Sequence, residues 1–429
     1  MNRSRRVILA TGGSLGDIHP VIAVGMALQA RGLTAVVATS VDYRAKIEAE
    51  GLTFREVGPS IARLEADTGL DLAQLTARIA RSDRFLFENI MLAYAGESTR
   101  QMIEASRDAD IVTGLSFAVG ARIAAEVLGK PFVSIALQPT TVFSVFDPPK
   151  LPAAPWLAPA RGGLQLAINR LTLAIARQTT APWTRGIDRI RAELGASPSP
   201  GDIFFDALRH ADLALGLYSP LLSPRQPDAP ATFEVVGYAA YDSDAGGPSV
   251  LPEALGAFLE SGPEPIVFTL GSAAVNTPGD FYERGLAAAR ALGRRSILLV
   301  GPQGDCAIAD GPDTLALPYA PYSLLFPRAV AIVHQGGVGT TQKALRAGRP
   351  QLVVPHLGDQ YDNAARVVRL GTGLTLSRTA FARRGEATLA RLLEDAPART
   401  AAARLGDLAR QEDGAAAAAA RIAGVAGRR

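Results

Sequence analysis

The chain has 429 residues, enough for two or three domains of ordinary size. Hydrophobic residues make up 48% and charged residues 20%, which provides for packed cores and excludes a disordered, collagen-like or coiled-coil chain. With 44 basic against 41 acidic residues the net charge is +3, too even for a nucleic-acid binder, and the single cysteine, Cys306, excludes an internal disulfide and a four-cysteine zinc site.

Residues 1–6 are basic, but only four apolar residues follow before Thr11-Gly12-Gly13, too few for a secretory signal. No stretch approaches the roughly 18 uncharged apolar residues of a membrane span, so the expectation is a soluble cytoplasmic protein. Residues 7–10 read as a buried strand, 11–17 as a glycine-rich loop, 20–31 as a helix closed by Gly32, and 34–39 as a second strand. That is one βαβ unit, and it implies a parallel sheet covered by helices. The pattern returns as strand 111–114, helix 118–128 and strand 131–136. Prolines from Pro139 to Pro159 then break it. An apolar stretch follows at 164–176, flanked by Arg161, Arg170 and Arg177, and a helical pattern resumes at 185–194.

A second break at 220–249 is rich in proline and carries Gly246-Gly247, the composition of a linker. The alternation restarts with strand 266–270, a tight turn at Gly271-Ser272, helix 281–292 and strand 296–300. Strand 330–333 runs into a second glycine-rich loop, followed by helix 340–347 and strand 352–354, and the tail 399–425 is alanine-rich and helical. The fold class is therefore α/β, with two Rossmann-like domains. We place the first at residues 1–225, a linker at 226–250, the second domain at 251–405 and a terminal helix at 406–429.

The first loop is not a dinucleotide fingerprint, because a G-x-G-x-x-G ending at Gly16 requires glycine where Thr11 stands. It does carry Asp17 and His19. Asp17 reads either as a general base or as the cap of the helix after it, and His19 as an alternative base or a group that orients Asp17. The second loop, Val333-His334-Gln335-Gly336-Gly337-Val338-Gly339-Thr340-Thr341, joins a buried strand to a helix. Its free N–H groups suit an anion such as a diphosphate, unless the loop simply caps the helix; no P-loop lysine follows the glycines.

The segments around this loop are Pro318-Tyr319-Ala320-Pro321 upstream, then Gly348-Arg349-Pro350 and Pro355-His356-Leu357-Gly358-Asp359-Gln360 downstream. Together they resemble the donor signature of the UDP-glycosyltransferase superfamily, the family 1 enzymes of the GT-B fold, most strongly over residues 318–373. Gly16-Asp17-Ile18-His19-Pro20 is similar to that superfamily's catalytic segment, and the whole pattern is similar to bacterial rhamnosyltransferases and sterol-type glucosyltransferases. The resemblance implies two domains facing across a cleft, with the last helix crossing back to the first domain. It further implies an inverting transfer of a hexose, glucose or rhamnose, from a UDP- or dTDP-sugar to a hydroxyl, with no metal and no cofactor. His334, Gly336, Gly337, Gly339 and Thr340 would then hold the diphosphate, with Ser272 touching it. Tyr319 would stack on the base, with Ala320 hydrogen-bonding it, and Asp359 and Gln360 would bind the sugar. Gln342 stands where plant members carry a ribose-binding glutamate. Asp17 falls at the position of the catalytic base.

Two D-x-D strings, Asp108–Asp110 and Asp242–Asp244, are of the kind that holds a metal in another glycosyltransferase class, but their loop setting favours solvated carboxylates. Region 55–190 is expected to form an apolar acceptor pocket, with Phe85, Phe87, Met91, Phe143 and Phe146 as its candidates, unless these residues fill ordinary core. The arginines beside the apolar stretch 164–176 also suit peripheral contact with an anionic bilayer, unless that stretch faces a core. Two other functions fit the same architecture. A non-catalytic accessory protein predicts a missing base and broken sugar residues. A nucleotide-sugar epimerase needs no apolar acceptor region.

Overall fold

The computed structural model describes residues 4–242, 249–309 and 311–426. It divides into two compact units: the chain up to Tyr241 together with Asp413 onward, and Asp242–Glu412.

The first unit is built on a seven-stranded sheet, β1 (Arg6–Ala10), β2 (Thr34–Thr39), β3 (Thr53–Glu56), β4 (Ile111–Leu115), β5 (Phe132–Ala136), β6 (Leu213–Gly216) and β7 (Phe233–Val235), in the order β3-β2-β1-β4-β5-β6-β7. Every pairing is parallel; Val7 lies opposite Ala35 on one side and Ile111 on the other. Strands buried on both faces must be apolar at successive positions, and β1 divides its residues accordingly. Val7 and Leu9 enter a core with Ile22 and Val37, while Ile8 and Ala10 enter a second core with Val36 and Val112 on the opposite face.

The terminal helix Gly414–Ala426 adds Ala418, Ala419 and Ile422 to the first of these cores, so the expected return of the chain to its first domain is realised. Gly414 makes the return possible. Its N–H donates to Tyr238 O at 3.1 Å, and a Cβ there would collide with the Gly237 carbonyl.

The second unit carries β8 (Ile266–Thr269), β9 (Ser296–Leu299), β10 (Thr314–Leu317), β11 (Ala331–His334), β12 (Gln351–Val353) and β13 (Gly373–Thr375), all parallel, in the order β10-β9-β8-β11-β12-β13. The chain builds outward from β8 in one direction and then returns to build from β11 in the other. Such a reversal opens a crevice at the carboxyl ends of the two central strands, where α/β proteins bind ligands. The first unit reverses between β1 and β4 in the same manner.

Several expected boundaries shift. Phe233–Val235, inside the expected linker, is an edge strand of the first sheet, because its Phe233 is a buried core residue. The apolar stretch 164–176 and the helical pattern 185–194 form one helix, Gly163–Glu193, that runs through Pro182. The first helix begins at Leu15, with Pro20 inside it. A proline there deprives only the carbonyl of exposed Gly16, four residues back. The tail forms two helices, Ala396–Arg410 and Gly414–Ala426, and the first of them belongs to the second unit. Asp244 and Gly246-Gly247 lie outside the described residues.

Candidate active site

In the first unit, β1 ends in Thr11-Gly12-Gly13 and Ser14 caps the helix Leu15–Gln29. Asp17 is the third helical residue and closes a capping box: its Oδ2 accepts the Ser14 N–H at 3.0 Å. The cap is thus Ser14, and Asp17 is its reciprocal partner. Gly13 adopts φ +106°, and a Cβ on it would stand 2.5 Å from Asp17 Oδ2, so only glycine lets the carboxylate fold back over the loop.

Burial pushes the Asp17 carboxyl from 3.8 up to about 6, and the hydrogen bonds from Ser14 only partly offset it. The Tyr43 hydroxyl donates to Gly13 O at 2.8 Å. Burial, and next the nearby Asp17 charge, raise its pKa to about 12, so it stays a donor. The His19 ring packs edge-on against Tyr241, with centroids 5.0 Å apart.

In the second unit two loops meet at the sheet's reversal point. A Cβ on Gly271, after β8, would collide with the Gln335 amide and touch the Thr340 hydroxyl at 3.4 Å, so Gly271-Ser272 lies against the loop after β11. Ser272 is exposed. Gly336 takes φ +91°, and a Cβ there would stand 2.6 Å from Val353 Cγ1. The helix Val338–Ala347 starts at Gly337 with no side-chain cap and no acid in its first turn, and the space around Gly339 is open. Among the described residues its first N–H groups thus have no side-chain cap, the arrangement an anion fills. Gln335 Oε1 is buried without a hydrogen-bond partner among the described residues.

His334 is not on the loop surface. It is fully buried, with Nε2 2.9 Å from Gln351 Oε1 and Nδ1 accepting the Gly336 N–H at 3.0 Å. Burial lowers its pKa to about 4. The ring is therefore neutral at pH 7, and the Gly336 bond assigns the proton to Nε2. It shapes the loop from behind, which differs from the direct diphosphate contact expected of it.

Asp359 stands at the start of the helix Gln360–Arg369 without a side-chain capping bond, and Asn363, one turn on, donates to its Oδ2 at 2.7 Å. The same Asn363 amide donates to Gly336 O at 2.9 Å, so one buried side chain ties the acid to the glycine loop. Gln360 is also buried, and its Oε1 is occupied by the N–H groups of His356 and Leu357 at 2.7 and 3.0 Å, which leaves only its NH₂ for a ligand. Gln342 is buried, at 1% exposure. Tyr319 donates its hydroxyl to Asp242 O at 2.9 Å, and Ala320 beside it is fully buried.

The expected acceptor residues are all partly buried and have different neighbours. Phe87 lies 4.5 Å from Trp183 and 4.6 Å from Phe204, and with Met91 it packs on Ile187 and Ile203. Phe143 lies 4.5 Å from Phe205, ring centre to ring centre. It is the one non-glycine residue with positive φ among the described residues, at +52°. Phe85 sits under the Arg78 guanidinium, and the Phe146 N–H bonds Ser144. Phe87 and Met91 ride on a π-helical turn, Leu86–Leu92, a wide and strained form of helix.

The D-x-D carboxylates have structural partners. Asp108 pairs with Arg6 and Arg55, Asp110 accepts the Arg6 N–H at 2.7 Å, and Asp242 accepts the Ser323 N–H at 2.6 Å. Sequence reasoning missed Asn363, Gln351 and Gln335, the amides that organise the second loop.

A family model described as the erythromycin biosynthesis protein CIII-like C-terminal domain matches residues 287–422, and the glycosyltransferase family 28 N-terminal domain matches residues 7–135. The chain is 32% identical over 374 residues to O-mycaminosyltylonolide 6-deoxyallosyltransferase of Streptomyces fradiae, covering 86% of this chain and 84% of that one. It is 30% identical to the vancomycin aglycone glucosyltransferase of Amycolatopsis orientalis, covering 86% and 85%. The solved structure of glycosyltransferase VinC in complex with dTDP superposes with a TM-score of 0.70 over 99% of this chain and 100% of that one, at 19% identity, a likeness of fold. The chain belongs to the UDP-glycosyltransferase superfamily, with the GT-B fold, and is a glycosyltransferase of the natural-product type.

Proposed function

We propose that this glycosyltransferase moves a hexose from a dTDP- or UDP-sugar to a hydroxyl of an apolar small-molecule acceptor, inverting the anomeric carbon without a metal. Asp17 is the general base. The observation that carries the reading is its carboxyl: partly buried in the first turn of the helix after the first strand, with a pKa raised to about 6, it is ionised at neutral pH yet far more basic than a free aspartate. As the acceptor oxygen attacks the anomeric carbon, the diphosphate leaves, and Asp17 takes the hydroxyl proton.

The leaving diphosphate is held by the N–H groups of Gly337–Gly339 and by Thr340 at the uncapped helix start, while His334 and Gly336 fix the loop's shape. Asp359, held by Asn363, and the Gln360 NH₂ group receive sugar hydroxyls. Tyr319 and Ala320 take the base, and Ser272 adds a phosphate contact. The names of the two sequence relatives, a 6-deoxyallosyltransferase and an aglycone glucosyltransferase, support a six-carbon sugar and an aglycone acceptor. The dTDP complex of VinC supports a thymidine nucleotide.

The test is a thermal-shift panel of dTDP, UDP and their glucose and rhamnose conjugates, followed by transfer to an aglycone in the presence of EDTA with the product anomer read by NMR. A nucleotide-dependent rise in Tm and an inverted product are expected. A retained anomer, or transfer abolished by EDTA and restored by a metal, would contradict the proposal.

A further inference from the structure

The helix Gly163–Glu193 presents an unusual face. Leu164, Leu171 and Ile175 are 79%, 64% and 55% exposed, and Trp156 beside them is 55% exposed. Positions 164, 167, 171, 174, 175, 178 and 182 fall on one side of an α-helix, with Ala167, Ala174, Gln178 and Pro182 also exposed. At 1.5 Å per residue this stripe is about 27 Å long. Trp156 is held against it: its indole N–H donates to Thr172 Oγ1 at 3.0 Å, and its carbonyl accepts from Gln165. Soluble surfaces usually scatter such residues singly, and a contiguous stripe marks a contact surface.

The charge around the stripe is of one sign. From residue 148 to residue 187 the chain has no aspartate or glutamate, but it has Lys150, Arg161, Arg170, Arg177 and Arg185, with Arg189 one helical turn beyond Arg185. Arg177 turns inward to pair with Asp206. Arg161, Arg170, Arg185 and Arg189 are exposed and make no ion pair among the described residues. No helix among the described residues is long and apolar enough to cross a membrane.

We propose that this face rests on an anionic lipid surface, with the leucine–isoleucine stripe and Trp156 in the headgroup–acyl boundary and the arginines against lipid phosphates. An in-plane amphipathic helix with a tryptophan and unpaired arginines matches that environment, where apolar burial and attraction to anionic lipid add. A second copy of the chain is the poorer occupant, because a self-complementary pairing would bring together two faces that both carry arginines and no acidic residue from 148 to 187.

The test is flotation of the full chain with vesicles of pure phosphatidylcholine and of equal parts phosphatidylcholine and phosphatidylglycerol. Partition onto the anionic vesicles alone is expected, weakened by high salt. Arg170→Gln with Arg185→Gln should lower it about 25-fold, at about fivefold per cation. Leu171→Glu with Ile175→Glu should lower it at least tenfold; these positions are exposed, and circular dichroism would show that the variants fold. The proposal is overturned if the wild-type chain stays with neither vesicle, or if it partitions equally onto both. It is also overturned if the chain instead forms a dimer in sedimentation equilibrium that Leu171→Glu disperses.

Discussion

Two loops in this molecule have the same backbone plan and opposite electrostatics. Each leaves a central strand where its sheet reverses, turns through one glycine with positive φ, Gly13 or Gly336, and opens a helix. The helix Leu15–Gln29 carries its own acid, Asp17, folded back in a capping box. The helix Val338–Ala347 carries neither acid nor side-chain cap, and the one ionisable ring behind it, His334, is held neutral by burial. A filled helix start repels further anions and offers a base; an unfilled one accepts an anion and offers none. On the proposed function, the chain would thus divide proton transfer and leaving-group binding between two copies of one supersecondary device.

The largest effect should come from removing the first loop's charge. Asp17→Asn keeps an acceptor for the Ser14 N–H, so the helix survives. kcat should nevertheless fall about 10²–10⁴-fold while dTDP affinity, measured by calorimetry, holds. A dead His19→Ala beside an active Asp17→Asn would reverse the two roles.

The second loop's shape is tested by Gly336→Ala against Gly339→Ala. The first forces a side chain into Val353 at positive φ and should cost about 2–4 kcal/mol in urea unfolding. The second meets open space at a helical position, where alanine is favoured over glycine, and should leave stability unchanged or raise it by up to about 1 kcal/mol. Equal costs would mean that the loop is not held as described.

A more pointed break is Gly339→Asp, which gives the second helix the acid that the first already has. Stability should hold or rise, and dTDP affinity should fall about tenfold or more, since a like charge now occupies the anion's place. Unchanged affinity would place the diphosphate elsewhere.

The pH dependence of stability separates the loops in a different way. The folded His334 pKa of about 4 lies below its ordinary 6.5, so between those values the unfolded chain binds a proton that the folded chain refuses, and stability falls as pH drops from 6.5 toward 4. Asp17 acts oppositely: its folded pKa of about 6 exceeds 3.8, so it favours the folded state at low pH and loses that contribution as pH rises through 6. His334→Asn should therefore flatten the acid loss, and Asp17→Asn should steepen it, in Tm measured from pH 4 to pH 7. The smallest expected effect is that of Asn363→Ala, a several-fold rise in KM for the nucleotide-sugar with dTDP affinity little changed, because Asp359 loses its tie to Gly336.

Much of this was legible in the sequence. Strands buried on both faces announce themselves as short apolar runs between glycines, and so β1, β2, β4, β8 and β11 were found within a residue or two. The edge strands β3 and β7 were not, because Thr53–Glu56 has a single apolar residue among polar ones and Phe233–Val235 sits among prolines that resemble a linker. The glycine loops could be read as ligand-facing, but the direction of a side chain could not. His334 precedes the glycines just as a surface ligand would, yet a β-strand sends its last residue to one face or the other, and here that face is the core. Two signals were present unread: Gln351, a lone amide in a buried strand, implies a buried polar partner, and Asn363 stands one helical turn after Asp359. Phe87 and Met91 mark the limit of composition, since an apolar residue on a helix reads the same whether it lines a pocket or packs a core, and both are partly buried here.

The division of labour is tested most directly by the pH dependence of kcat/KM for sugar transfer. If Asp17 is the base with its raised pKa, the wild-type rate should fall tenfold per pH unit below about pH 6, and Asp17→Asn should show a low rate without that limb. A wild-type rate that stays level down to pH 5, or an Asp17→Asn variant that keeps both the rate and the limb, would contradict it.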